Sequence, residues 1–105
     1  MEYLSKNIEE LINETLKRIA LGLYVNLNHD SYYIYKKPFK ALVVENPVIA
    51  FDLIRKSSSV DAAKFIFKII ARALIIDSSK IDFIIDSLEK GNEEPFKEAI
   101  NKKVH

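Results

Sequence analysis

Residues 57–76 read Ser57-Ser-Ser-Val-Asp-Ala-Ala-Lys-Phe-Ile-Phe-Lys-Ile-Ile-Ala-Arg-Ala-Leu-Ile-Ile76. The serines are a helix start: a hydroxyl accepts from an unpaired backbone N–H of the first turn, and Asp61 stands three residues after Ser58. From Val60 to Ile76 the only charges are Asp61, Lys64, Lys68 and Arg72. A helix that is apolar on most sides belongs inside a bundle of other helices. This stretch therefore predicts an all-α fold, with the segment at its centre.

The flanking segments supply helices to surround it. Leu4, Ile8, Leu11, Ile12, Leu16, Ile19, Leu23 and Leu27 recur at helical spacing, which predicts a first helix from about Ser5 to about Val25. Ser5 or Asn7 can cap it. Asn26 to Ser31 reads as a stop and a turn, because Asn and Asp side chains bond their own backbone. Tyr32–Tyr35 has strand propensity without a visible partner strand. It is read as an irregular segment or the first turns of a helix. Pro38 opens a short helix from Phe39 to Val44. Asn46-Pro47 starts another, ending near Arg55. Ser78-Ser79 cap a helix that stops at Gly91. A final helix follows Asn92 and turns Phe96, Ala99 and Ile100 inward. The expectation is one domain over residues 1–105: a bundle of five to six helices, with at most one short strand near residues 32–35.

Composition narrows the function. Apolar residues are 49% and charged residues 30%, a globular balance. Cysteine is absent and glycine occurs twice, at Gly22 and Gly91. Disulfide frameworks, thiolate chemistry and glycine-rich phosphate loops are thereby excluded. The N-terminal residues include Glu2, Glu9 and Glu10 where a signal peptide needs an apolar run. No stretch reaches the ~18 uncharged apolar residues of a membrane span. A cytoplasmic protein without membrane association is expected.

Net charge is +1, but it is unevenly spread. Residues 36–76 hold eight cations against three acids, and acids exceed cations on either side. Within this basic middle, Lys64, Lys68 and Arg72 fall four apart and form one row. At its start, Tyr32, Tyr33, Tyr35 and Phe39 interleave with Lys36, Lys37 and Lys40. Rings that stack on bases beside ammonium groups that meet phosphates are the chemistry of single-strand nucleic-acid binding. The plainer readings are a solvated edge on a core helix and tyrosines that pack a loop with their hydroxyls in water.

Other chemistry is thin. His29-Asp30 is a poor metal or acid–base pair, since adjacent side chains diverge and the other histidine is His105. Glu9-Glu10, Asp82/Asp86 and Glu93-Glu94 lie on acidic faces without a pocket to raise a carboxylate's pKa. Asn46–Ile76 has the outline of a helix-turn-helix, but its second helix offers too few polar groups to base edges. No catalytic residue, metal or cofactor is expected.

Two functions remain. The first is a non-catalytic small subunit binding single-stranded nucleic acid within a larger assembly, through Tyr32, Tyr33, Tyr35, Lys36, Lys37, Lys40, Lys64, Lys68 and Arg72. The second is a protein-interaction or homo-oligomerising module. Ile70, Ile75, Ile76, Ile85 and the Phe65/Phe67 pair are hard to bury together in so small a bundle, and apolar residues left outside the core mark a partner-binding face. The lysines discriminate. One contiguous basic face favours nucleic acid; lysines scattered among carboxylates favour the interaction module.

Overall fold

The computed structural model describes the backbone of residues 2–104 and the side chains of residues 8–102. Among the described residues seven helices follow one another: α1 (Glu2–Ile19), α2 (Leu21–Tyr35), α3 (Phe39–Glu45), α4 (Pro47–Ser57), α5 (Val60–Ala73), α6 (Ser78–Glu89) and α7 (Glu94–Val104). There is no strand among the described residues.

The reading of α5 as the central helix holds. Ser59 caps it, its hydroxyl accepting from the Ala62 N–H at 3.0 Å. Ala63, Ile66, Phe67, Ile70 and Ala71 are buried, and the helix packs against α1, α4 and α6. Phe67 is fully enclosed. Its ring lies 5.7 Å from that of Phe51 on α4 and edge-on to Phe96 on α7 at 5.4 Å. Enclosing a side chain of that size contributes roughly 1.5–3 kcal/mol.

α5 ends at Ala73, three residues short of expectation. The Ile75 N–H bonds the Arg72 carbonyl and the Ile76 N–H bonds the Ala71 carbonyl, each at 3.0 Å. This is the paired closure of a helix end that normally uses glycine at the left-handed position. Here that position is Ile75, at φ 57°. α6 ends as predicted at Gly91, at φ 88°. Its start is one residue early: Asp77 is the cap, accepting from the Ser79 N–H at 3.0 Å.

The expected count of five to six helices is corrected to seven, because the first predicted helix is two. α1 stops at Ala20 (φ −158°, ψ 66°) and α2 begins at once. Alanine has the highest helix propensity, so the residue at the break does not itself favour one, although Gly22 follows two residues on. The break redirects the chain so that α2 lies on α3 and α4 as well as α1, with Leu27 and Ser31 inside. α1 begins at Glu2, ahead of the expected caps Ser5 and Asn7. The side chains of those caps and of Leu4 lie outside the described residues.

The predicted stop at Asn26–Ser31 is also corrected: these residues are the middle of α2. Two of their polar side chains serve the next loop instead of their own backbone. Asn28 Oδ1 accepts from the Phe39 N–H at 2.9 Å. Ser31 Oγ donates to the Lys37 carbonyl at 2.7 Å. Tyr32–Tyr35 is accordingly the last turn of a helix, neither an irregular segment nor its first turns. Asn46 and Pro47 start α4 as expected, although the Asn46 side chain makes no capping bond.

Candidate functional site

The sequence-predicted residues fall into two groups. Tyr32, Tyr33 and Tyr35 close α2, and Lys36 follows in the left-handed conformation. Lys37 and Lys40 flank Pro38. Lys64, Lys68 and Arg72 lie along α5, which packs on α1, α4 and α6, whereas α2 packs on α1, α3 and α4.

Four of the six cations face carboxylates. Lys37 Nζ lies 2.7 Å from Glu45 Oε1 and Lys40 Nζ 2.6 Å from Glu10 Oε1. Lys64 meets Glu89 at 2.8 Å, and Lys68 meets Asp82 at 3.5 Å. Nearby, Arg55 and Lys56 share Asp52. The hydrogen bond and charge of Lys40 hold the Glu10 carboxyl below its ordinary range, and the bond to Glu10 raises Lys40 in turn. Hydrogen bonds from Arg55 and Lys56 lower Asp52 likewise. Glu89, by hydrogen bond and charge, raises Lys64. Exposed pairs of this kind add little stability, but they cancel much of the field a phosphate would feel. Arg72 is exposed and makes no ion pair among the described residues. Lys36 bends back over Tyr33: its Nζ sits 5.8 Å from the ring centroid and donates to the Tyr33 carbonyl at 3.0 Å.

The tyrosines differ in setting. Tyr33 is 75% exposed and Tyr32 53%. Tyr35 borders an open groove of about 390 Å³ floored by Val48, Phe51 and Leu88 and rimmed by Asp52, Arg55 and Gly91.

Sequence reasoning missed the face of α2. This helix has fifteen residues, of which Leu27 and Ser31 are buried. Asp30 is its one acid, and it has no lysine or arginine. Leu21, Val25 and Tyr32 form one line at helical spacing, with His29 and Tyr33 beside it. Leu21 is 60% exposed and Val25 56%. The His29 and Tyr33 rings are parallel within 4°, with centroids 6.4 Å apart. An apolar helix that buries so little of itself leaves a surface without a partner. The signal lay in the near-absence of charge over residues 21–35, and it was hidden by reading a turn there. Of the apolar residues expected to remain outside the core, Ile70, Ile76, Ile85 and Phe67 are buried, while Phe65 and Ile75 are exposed.

His29 Nδ1 lies 3.5 Å from Asp30 Oδ1. No group of three potential metal ligands gathers among the described residues, and no described helix is long and apolar enough to cross a membrane. No protein-family model matches the chain, and neither curated proteins nor solved structures show significant similarity to it.

Proposed function

We propose that the chain is a self-associating interaction module whose contact surface is the exposed face of α2. The observation that carries this reading is Leu21, Val25, Tyr32 and Tyr33 standing together on a helix with one acid and no cation. The partner is a second copy. An uncharged apolar face is complementary to itself, as a two-fold contact requires. A net charge of +1 sets up little repulsion between copies. The four side chains expose on the order of 500 Å² per copy, so complete coverage in both copies buries about 1,000 Å², the lower bound for a specific interface. The pairing of Lys37, Lys40, Lys64 and Lys68 with carboxylates further supports this module over a basic binding face. Light scattering over a concentration series tests it. Wild-type chain is expected to move from the mass of one 12.1 kDa chain to that of two, and Val25→Glu to stay at one.

A second reading rests on one observation: Tyr33 is the most exposed tyrosine of the three, and the Lys36 ammonium lies over it. That corner offers a ring and a charge to single-stranded nucleic acid. Tyr33→Ala would then weaken binding by about 1–3 kcal/mol at every salt concentration. Absence of binding to single-stranded DNA or RNA at low salt removes this reading.

A further inference from the structure

The groove bordered by Tyr35 has one face of α4 as its wall: Val48, Phe51, Asp52 and Arg55 line it at helical spacing. Val48, Phe51 and Leu88 make its floor apolar. Its volume of about 390 Å³ lies within the roughly 300–1,000 Å³ of small-molecule sites. The charges at its rim do not balance. Arg55 donates to Asp52 Oδ1 through Nε at 3.0 Å and also through Nη2. Lys56 Nζ stands 3.1 Å from Asp52 Oδ2, so one carboxylate serves two cations. Glu89 is held by Lys64 at 2.8 Å. Lys90 also lines the groove and makes no ion pair among the described residues. Four cations therefore stand against two carboxylates, and an anion is the complement. The Arg55 Nη1 group and the Tyr35 hydroxyl make no hydrogen bond among the described residues, which leaves donors to receive one.

The backbone narrows the class of anion. Phosphate is held by N–H groups that a turn or helix start leaves unspent. Here the N–H groups of Lys90, Gly91 and Asn92 bond the last carbonyls of α6. They offer nothing to phosphate, and they blunt the negative helix end that would oppose an anion. A carboxylate instead fits side-chain donors, above all a planar guanidinium. We propose that the groove binds a small carboxylate with a hydrocarbon tail. The tail lies on Val48, Phe51 and Leu88 beside the Tyr35 ring, and the carboxylate meets the Arg55 guanidinium and the Lys90 ammonium. None of Leu21, Val25, Tyr32 and Tyr33 lines the groove, so this site and the self-association face stand or fall separately.

The experiment is a titration of the ¹⁵N-labelled full chain with octanoate, below its micelle-forming range, followed by amide shifts. Octanol, with the same tail and no charge, is the control. The expected result is saturating shifts at Phe51, Asp52, Leu88 and Gly91. Octanol should bind more weakly by roughly tenfold or more. So should octanoate to a chain carrying both Arg55→Gln and Lys90→Gln, whose spectrum away from the groove confirms the fold. Equal affinity for octanol, or an unchanged constant in the double variant, overturns the role of the two cations and the proposal with it. Shifts confined to Leu21, Val25 and their neighbours place the ligand on α2 and overturn it too, as does an absence of shifts at millimolar octanoate.

Discussion

Asn28 Oδ1 accepts a hydrogen bond from the Phe39 backbone N–H at 2.9 Å, across eleven residues of chain. A residue in mid-α2 thus secures the first turn of α3, where Phe39 is fully buried. Asn28→Ala leaves that N–H without its acceptor and is expected to cost about 1–2 kcal/mol. Asn28→Asp keeps an acceptor and should retain most of the stability. Urea denaturation of the three chains gives the comparison. Equal stability of wild-type and Asn28→Ala would show that the bond does not anchor α3.

The two glycines predict opposite outcomes. A Cβ added at either meets nothing within 4 Å, so the backbone decides. Gly22 lies within α2, and Gly22→Ala should stabilise by about 0.5–1 kcal/mol. Gly91 sits at φ 88°, and Gly91→Ala should cost about 1–2 kcal/mol. Thermal melts at low protein concentration separate the two, since 1 kcal/mol shifts the midpoint by roughly 4–8 °C in a domain of this size.

Ile75 inverts the same argument. A β-branched residue stands in the left-handed position that closes α5, and it is 78% exposed. Relief of the backbone penalty in Ile75→Gly exceeds the added chain entropy by about 0.5–1 kcal/mol. Ile75→Ala keeps a Cβ and should bring no such relief. Chemical denaturation of both variants checks the contrast.

The ion pair of Glu10 with Lys40 sets an acid dependence. The folded-state pKa of Glu10 is lowered by Lys40, so its contribution is present above the ordinary value of 4.5 and is lost as pH falls through the lowered value. The urea midpoint should therefore be unaffected by this group from about pH 5.5 to 8 and decline below about pH 4.5. Glu10→Gln should shrink that decline. An unchanged acid profile in the variant would mean that the pair contributes nothing to stability.

Helix boundaries were legible wherever a cap or a glycine acts on its own backbone. Ser59 and Gly91 do so, and α5 and α6 follow from them. The apolar run of Val60–Ile76 likewise located the centre of the core. What local pattern could not show is a polar group spent at a distance. Asn28 and Ser31 read as turn formers, but they cap and brace the loop after Tyr35. The break at Ala20 falls at a residue that favours helix, and the nearby Gly22 is too weak a signal on its own to place it. The lysines read as a basic patch for the same reason: Glu10 stands thirty residues before Lys40, and only the fold brings the two together.

The central claim is that two copies meet through α2. The most direct measurement is an isotope-filtered nuclear Overhauser experiment on equal amounts of ¹³C-labelled and unlabelled chain. Only contacts between copies give signal. The account predicts cross-peaks from the methyl groups of Leu21 and Val25 to the rings of Tyr32 and Tyr33 of the other copy. Intermolecular peaks confined to Phe65 or Ile75, or none at concentrations where light scattering shows a dimer, would contradict it.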